Sequence, residues 1–154
     1  MIRIEVCKKK NLKKLMRFLH VYWKKNHVLA KNHKLIKWQH FSKKENHYNF
    51  VIALYNSQII GCLGFIKNSL YSKKLINNET IWLVNWIVIK KNLLSGLQLI
   101  SYLLNNCRYK KIGTVGGNYK THQILKALGF NGGLLKHYYV INPEIKKFML
   151  VQNP

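Results

Sequence analysis

Residues 80–89 read Thr-Ile-Trp-Leu-Val-Asn-Trp-Ile-Val-Ile, and no other stretch restricts the fold as much. β-Branched and aromatic residues of this kind suit an extended strand. The run is well short of the ~18 apolar residues that a membrane span requires. Its nearly continuous apolar character predicts a central strand covered on both faces. A polar-to-glycine turn follows, Lys90-Lys91-Asn92-Leu93-Leu94-Ser95-Gly96, and then Leu97, Ile100, Leu103 and Leu104 recur at helical spacing. Residues 111–115 read as the next strand. Strand, crossover helix and strand make the two strands parallel neighbours.

The first half follows a different logic. Residues 2–7 alternate as a strand. Asn11 is placed to cap a helix carrying Leu12, Leu15, Met16, Leu19 and Trp23 on one stripe. A second helix is predicted over 32–41, with Leu35, Trp38 and Phe41 facing inward. Residues 48–55 are rich in β-formers, Asn56-Ser57 supplies turn chemistry, and residues 58–66 return as the second arm of a hairpin. Residues 67–78 read as a loop. Ser95 and Gln98 have the spacing of a capping box. Asn118 can cap a helix that ends at Gly129, a natural residue just past a helix end. Residues 134–141 and 144–151 read as the last strands. The order β-α-α-β-β-β-α-β-α-β-β predicts a mixed-sheet α/β domain with helices on its faces. At ~100–200 residues per domain, residues 1–154 make one domain, and no Pro/Gly/Ser linker or repeat interrupts them.

Charge narrows the chemistry. Lys plus Arg is 27 against four acids, a net charge of +23. There is no Asp, and the acids are Glu5, Glu45, Glu79 and Glu144. This excludes carboxylate-cluster metal sites and argues against paired-carboxylate catalysis. A field this positive favours anionic partners. A coding bias toward Lys, Asn and Ile explains the same numbers equally well. No helix-turn-helix, RNA-recognition or zinc-finger signature is present, and Lys is spread along the whole chain, so no specific nucleic-acid partner is expected. His20, His27, His33, His40 and His47 stand near a seven-residue period, but no HExxH or Cys/His knuckle accompanies them, so no metal is expected. Cys7, Cys62 and Cys107 are odd in number and form no CxxC, which suits a reducing cytoplasm. The first six residues read as a charged strand rather than a signal peptide.

The element order, with a glycine turn between the long strand and its helix, resembles the GNAT acetyltransferase fold, a mixed sheet with a parallel splay between its central strands. The family's cofactor motif runs from an apolar strand into Arg/Gln-x-x-Gly-x-Gly/Ala and a helix. Here Ile87 and Val88 end the strand and Gly96 stands at the central glycine, while Leu93 and Gln98 depart from the motif. A second signature, strand, Asn and a helix closing on Gly-Phe, reads Val115-Gly116-Gly117-Asn118 through Ala127-Leu128-Gly129-Phe130. Trp38-Gln39-His40-Phe41, Tyr48-Asn49-Phe50-Val51-Ile52-Ala53, Ile81-Trp82-Leu83 and Lys136-His137-Tyr138-Tyr139-Val140-Ile141-Asn142 resemble a GNAT branch found with surface-polysaccharide synthesis. That branch implies transfer of an acyl group from acetyl-CoA to an amino sugar, as a small anionic nucleotide-linked substrate. A homodimer is left open.

The resemblance also implies a site. A glycine turn opening a helix presents free backbone N–H groups at the positive dipole end, an anion site. Leu93, Leu94, Ser95, Gly96 and Leu97 would supply them to the phosphates, with Gly96 permitting close approach; an ordinary strand–helix turn is the alternative. The strand edge at residues 85–88, including Ile87 and Val88, would hold the pantetheine arm and stabilise an oxyanion. Asn118 would help hold the cofactor, or serve only as a helix cap. The family's general-acid tyrosine falls at Leu125, which cannot donate a proton. For the base, His137 ranks above Glu79, and His137 can also be an ordinary strand histidine. His40 is a third candidate, with packing or lining of the acceptor pocket as its other roles. Two other readings compete: a GNAT-like protein that has lost catalysis, and a basic nucleic-acid-binding module.

Overall fold

From the N-terminus the chain forms β1 (Arg3–Lys8), α1 (Leu12–Phe18), a π-helical turn (Leu19–Trp23), α2 (Val28–Lys31), α3 (His33–His40), β2 (Phe41–Ser42), β3 (His47–Tyr55), β4 (Gln58–Lys67), β5 (Thr80–Val88), α4 (Leu94–Asn106), β6 (Lys111–Thr114) and α5 (Tyr119–Ala127). This computed structural model describes residues 1–133 together with Leu135, Lys136 and Glu144. Two compact units result, Met1–Gly116 and Gly117–Pro154.

The first unit holds the sheet, in the spatial order β1-β3-β4-β5-β6, with β2 also paired to β3. The expected hairpin joins β3 to β4. Asn56 and Ser57 have φ of 46° and 62°, and a two-residue turn with both φ positive matches the twist of the flanking strands. All neighbours are antiparallel except β5 and β6, which run parallel as the crossover through α4 requires.

Alternation along β3 decides the layers. Tyr48, Phe50, Ile52 and Leu54 pack with Leu15, Leu19, Leu29 and Ile36 from the α1–α3 layer. Leu99, Ile100 and Leu103 of α4 are buried on the opposite face, where Leu99 reaches Gly61 of β4. Burying each such side chain fully contributes ~1.5–3 kcal/mol. Gly64 marks the tightest point. A Cβ there would lie 2.7 Å from Cε1 of Phe50 and 3.1 Å from Cγ2 of Val84. Phe50 is fully buried with its ring 4.4 Å from that of His40, so it has little room to yield. Gly64→Ala is expected to cost ~1–3 kcal/mol in urea unfolding through overpacking. An unchanged unfolding midpoint would show that the Phe50 ring can move.

Several local expectations are corrected. Asn11 does not cap α1. It sits in a 3₁₀ turn with helical dihedrals, and its Nδ2 donates to Glu5 Oε1 at 3.0 Å. Trp23 is 45% exposed, because the π-helical turn after α1 breaks the stripe that a regular helix would continue. In α3 the inward pair is Ile36 and His40, one turn apart, whereas Trp38 is 66% exposed against Tyr71. Leu35 and Phe41 are half-buried. Residues 67–78 are not plain loop but contain 3₁₀ turns at Asn68–Leu70 and Lys73–Asn78. β5 is not covered on both faces: Ile81, Leu83 and Ile87 are buried, while Trp82 is 44% exposed.

The second unit, taken by itself, carries α5. Asn118 Oδ1 accepts from the Thr121 N–H at 2.9 Å, the predicted cap. Gly129, at φ 85°, ends the helix: its N–H bonds Lys126 O, and the Phe130 N–H bonds Leu125 O, both at 3.0 Å. That pair of bonds is a Schellman motif, which needs the left-handed residue that glycine supplies. Of the strands predicted over 134–141 and 144–151, only Leu135, Lys136 and Glu144 fall among the described residues, and His137 does not. Among the described residues no helix is long and apolar enough to cross a membrane.

Candidate functional site

The parallel pairing of β5 and β6 stops early. Its last partners are Leu83 and Thr114. There the Thr114 hydroxyl donates to the Leu83 carbonyl at 3.0 Å, closing the ladder with a side chain. β5 continues through Val88 with β4 on one side and, among the described residues, no strand on the other. This is the predicted splay.

A bulge lies just past the splay point. Val84 pairs with Gly64 and Ile87 with Cys62, so residues 85 and 86 oppose Leu63 alone. Asn85 takes φ 48°, a left-handed conformation that Asn tolerates better than most residues. The extra residue bends the strand and re-aims its backbone groups. Its carbonyl faces the buried Cys62 Sγ at 3.7 Å. Polar backbone on the open edge of residues 84–88 is what an extended, amide-bearing ligand could pair with.

Downstream, β5 feeds a 3₁₀ turn at Lys90–Asn92 and then α4. The expected capping box is absent. The helix begins at Leu94 after Leu93, which already has helical dihedrals, and no side chain caps it. Ser95 is therefore inside the first turn, 1% exposed, and its Oγ has no hydrogen-bond partner. The Gly96 N–H is taken by Leu93 O at 2.9 Å, which removes it from the anion site. Helix geometry leaves the amides of Leu94 and Ser95 without an intrahelical acceptor. These two, with the exposed Lys90 and Lys91 just ahead, make an anion-attracting turn. The role expected of Gly96 also changes. A Cβ there would meet Val88 Cγ2 at 3.4 Å and Trp86 Nε1 at 3.6 Å, so its missing side chain brings α4 close to β5. Leu93, Leu94 and Leu97 are exposed. Ile87 is buried and Val88 half-buried, their side chains serving the core while their backbones line the open edge.

Glu79 precedes β5 and performs a structural task. Its Oε1 accepts from the Ser69 N–H at 3.1 Å and its Oε2 from the Ser69 hydroxyl, while its carbonyl accepts from the Lys110 N–H at 2.8 Å. Five residues of strand lie between it and Asn85, about 20 Å along the chain at the usual rise. His40 is fully buried, with Nδ1 3.2 Å from the Phe65 carbonyl, so it packs the core. Asn118 and the 6%-exposed Leu125 lie in the second unit, where Asn118 Oδ1 holds the Thr121 amide and hydroxyl. Among the described residues no three of His, Cys, Asp and Glu gather as metal ligands. Three contributors escaped the sequence reading: the Asn85 bulge, Thr114, and the Lys90-Lys91 pair. The lone Asn inside an apolar strand was the available signal for the first.

No protein-family model and no curated protein matches this chain. Solved structures do. The aminoglycoside N-acetyltransferase AAC(6')-Iy, in complex with the bisubstrate analogue CoA-S-monomethyl-acetylneamine, is 16% identical with a TM-score of 0.65, covering 92% of this chain and 99% of its own. An acetyltransferase of Trypanosoma brucei is 12% identical with a TM-score of 0.63, covering 92% and 100%. Naa50 of Arabidopsis thaliana, in complex with the bisubstrate analogue CoA-Ac-MVNAL, is 18% identical with a TM-score of 0.63, covering 92% of each chain. The mixed sheet, its parallel splay and the helices on its two faces make up the fold of the GNAT acetyltransferases.

Proposed function

We propose that the chain is an N-acyltransferase that moves an acetyl or short acyl group from acyl-CoA to an amine, with residues 1–154 acting as one catalytic domain. The observation that carries this reading is the bulged open edge of β5 leading into the uncapped first turn of α4, both within residues 1–116. The turn's amides and the Lys90-Lys91 pair suit the donor's phosphates. The edge amides of residues 85–88 suit its extended arm and the negative charge that develops on a thioester oxygen during attack. The CoA-based analogues held by AAC(6')-Iy and Naa50 support the same donor.

The acceptor amine must lose a proton before it attacks. His137 remains our candidate base, on its place after the Gly-Phe sequence, and Asn118 our candidate second contact to the donor. Glu79 is left out of the chemistry, because both its oxygens serve Ser69. Glu79→Gln is expected to lower stability and leave kcat/KM within ~3-fold, well under the ~10²-fold or more that a lost base costs. A larger fall in a folded variant would return Glu79 to the site. For the acceptor we propose an amino sugar carried on a nucleotide, on the likeness to the polysaccharide branch and on the +23 charge. Cys7, Cys62 and Cys107 are all free, and burial raises the thiols of Cys7 and Cys62, which supports a reducing cytoplasm as the compartment.

One observation favours a second reading, a donor-binding protein with little turnover: Leu125 fills the family's tyrosine position and is buried. Calorimetry with acetyl-CoA, followed by thiol release against a panel of amino sugars, aminoglycosides and peptide amines, separates the two. Micromolar binding, about −8 kcal/mol, is expected. Binding without thiol release on any amine would support the second reading, and no binding would overturn both.

A further inference from the structure

Lys13 and Arg17 stand one turn apart on the exposed side of α1, and His20 follows them in the π-helical turn. Across from them Lys31 closes α2 and His33 opens α3. With Met16 contributing apolar lining, they line a shallow groove of about 410 Å³ that is open to solvent.

No acid lines this groove. Glu5 is engaged by Arg3 and Asn11, Glu45 by Lys67 and His47, and Glu79 by Ser69. Among the described residues no carboxylate lies within ion-pair distance of Lys13, Arg17 or Lys31. A bias toward Lys explains lysines anywhere, but it does not place an arginine. The chain has only three, and Arg17 is one of the residues lining this groove. Like charges a turn apart on a helix repel each other. A concave site of one sign concentrates counter-ions instead of dispersing them. His20 Nδ1 accepts from the Asn26 N–H at 3.4 Å, which leaves Nε2 to carry the ring proton as a donor.

We propose that this groove binds a phosphate-bearing small molecule. The Arg17 guanidinium grips two phosphate oxygens, and Lys13 and Lys31 neutralise the remaining charge from either side. No Phe, Tyr or Trp lines the groove, and single-stranded nucleic acid would need such rings for its bases to stack upon. The site is separate from the α4 turn and does not depend on acyl transfer. The π-helical turn carrying His20 also packs against β5, although no β5 residue lines the groove.

The test is an NMR titration of the full chain with inorganic pyrophosphate. Shifts are expected at residues 13–20 and 30–33. The triple variant Lys13→Gln/Arg17→Gln/Lys31→Gln is expected to weaken binding by ~10-fold or more. Lys44→Gln/Lys73→Gln/Lys74→Gln removes equal charge from exposed positions elsewhere and should leave binding within ~2-fold. Three results would overturn the proposal: no binding, shifts confined to residues 90–97, or equal weakening in both triples, which would assign the effect to diffuse charge. A parallel titration with a nucleoside diphosphate identifies the source. Tighter binding than pyrophosphate assigns an organic phosphate, and equal binding assigns the inorganic anion.

Discussion

Deleting Asn85 is expected to leave a folded protein whose acyl-transfer rate falls ~10²- to 10³-fold, the usual cost of losing one oxyanion donor. The reasoning starts from register. Val84 pairs with Gly64 and Ile87 with Cys62, with two residues set against Leu63 between them. Removing Asn85 leaves one residue against one, so both flanking pairs survive and the core side chains Leu83 and Ile87 keep their places. The bend is what disappears, and with it the re-aimed amides of the open edge. Two point variants guard against a trivial loss. Asn85→Gly accepts φ 48° freely and should retain activity. Asn85→Val is β-branched and must be strained there, at ~1–3 kcal/mol. Circular dichroism and urea unfolding check the fold of each. A deletion variant that transfers acetyl at the full rate would remove the bulge from the active site.

The layout of the sheet was readable because it rests on periodicity and turn chemistry. Asn56-Ser57 fixed the hairpin, the apolar run at 80–89 marked the strand β5, though β4 rather than β5 stands in the middle of the sheet, and Asn118 with Gly129 fixed both ends of α5. The site was less readable because its geometry comes from departures from periodicity. A bulge appears in the sequence only as one Asn in an apolar run. The end of the parallel ladder depends on β6 stopping at Thr114, which no local propensity announces. Ser95 and Gln98 had capping-box spacing, but the chain reaches α4 through a 3₁₀ turn, so the helix starts two residues early and carries Ser95 inside. Trp38 and Trp23 looked like core because they are large and apolar. Ile36 and His40 occupy the inward positions of α3, and a buried histidine is the kind of residue a hydrophobicity pattern overlooks.

That histidine leads to the second large expectation, a loss of ~3 kcal/mol of stability between pH 6.5 and pH 4 attributable to His40 alone. Its ring is fully buried, 4.4 Å from the Phe50 ring, and Nδ1 must carry a proton because its partner, the Phe65 carbonyl, only accepts. Nε2 has no hydrogen-bond partner. Burial disfavours the imidazolium and lowers the pKa from 6.5 to about 4, against the opposing pull of the Phe65 and Asn49 backbone. Above pH 6.5 the ring is neutral in both states and nothing is lost. As pH falls below 6.5 the unfolded chain takes up a proton that the folded ring refuses, so the unfolded state gains. The loss is complete once pH has passed the folded value near 4. His27 and His47 are also lowered by burial, and Glu45 is lowered, so the whole protein loses stability in acid for several reasons. Comparison isolates the one group. His40→Leu removes the titrating ring and leaves the others in place. Urea unfolding at about pH 7.5 and about pH 4 should show the wild type losing ~3 kcal/mol more than His40→Leu. Parallel losses in the two proteins would mean that the His40 imidazolium finds a partner in the core and that its burial carries no acid penalty.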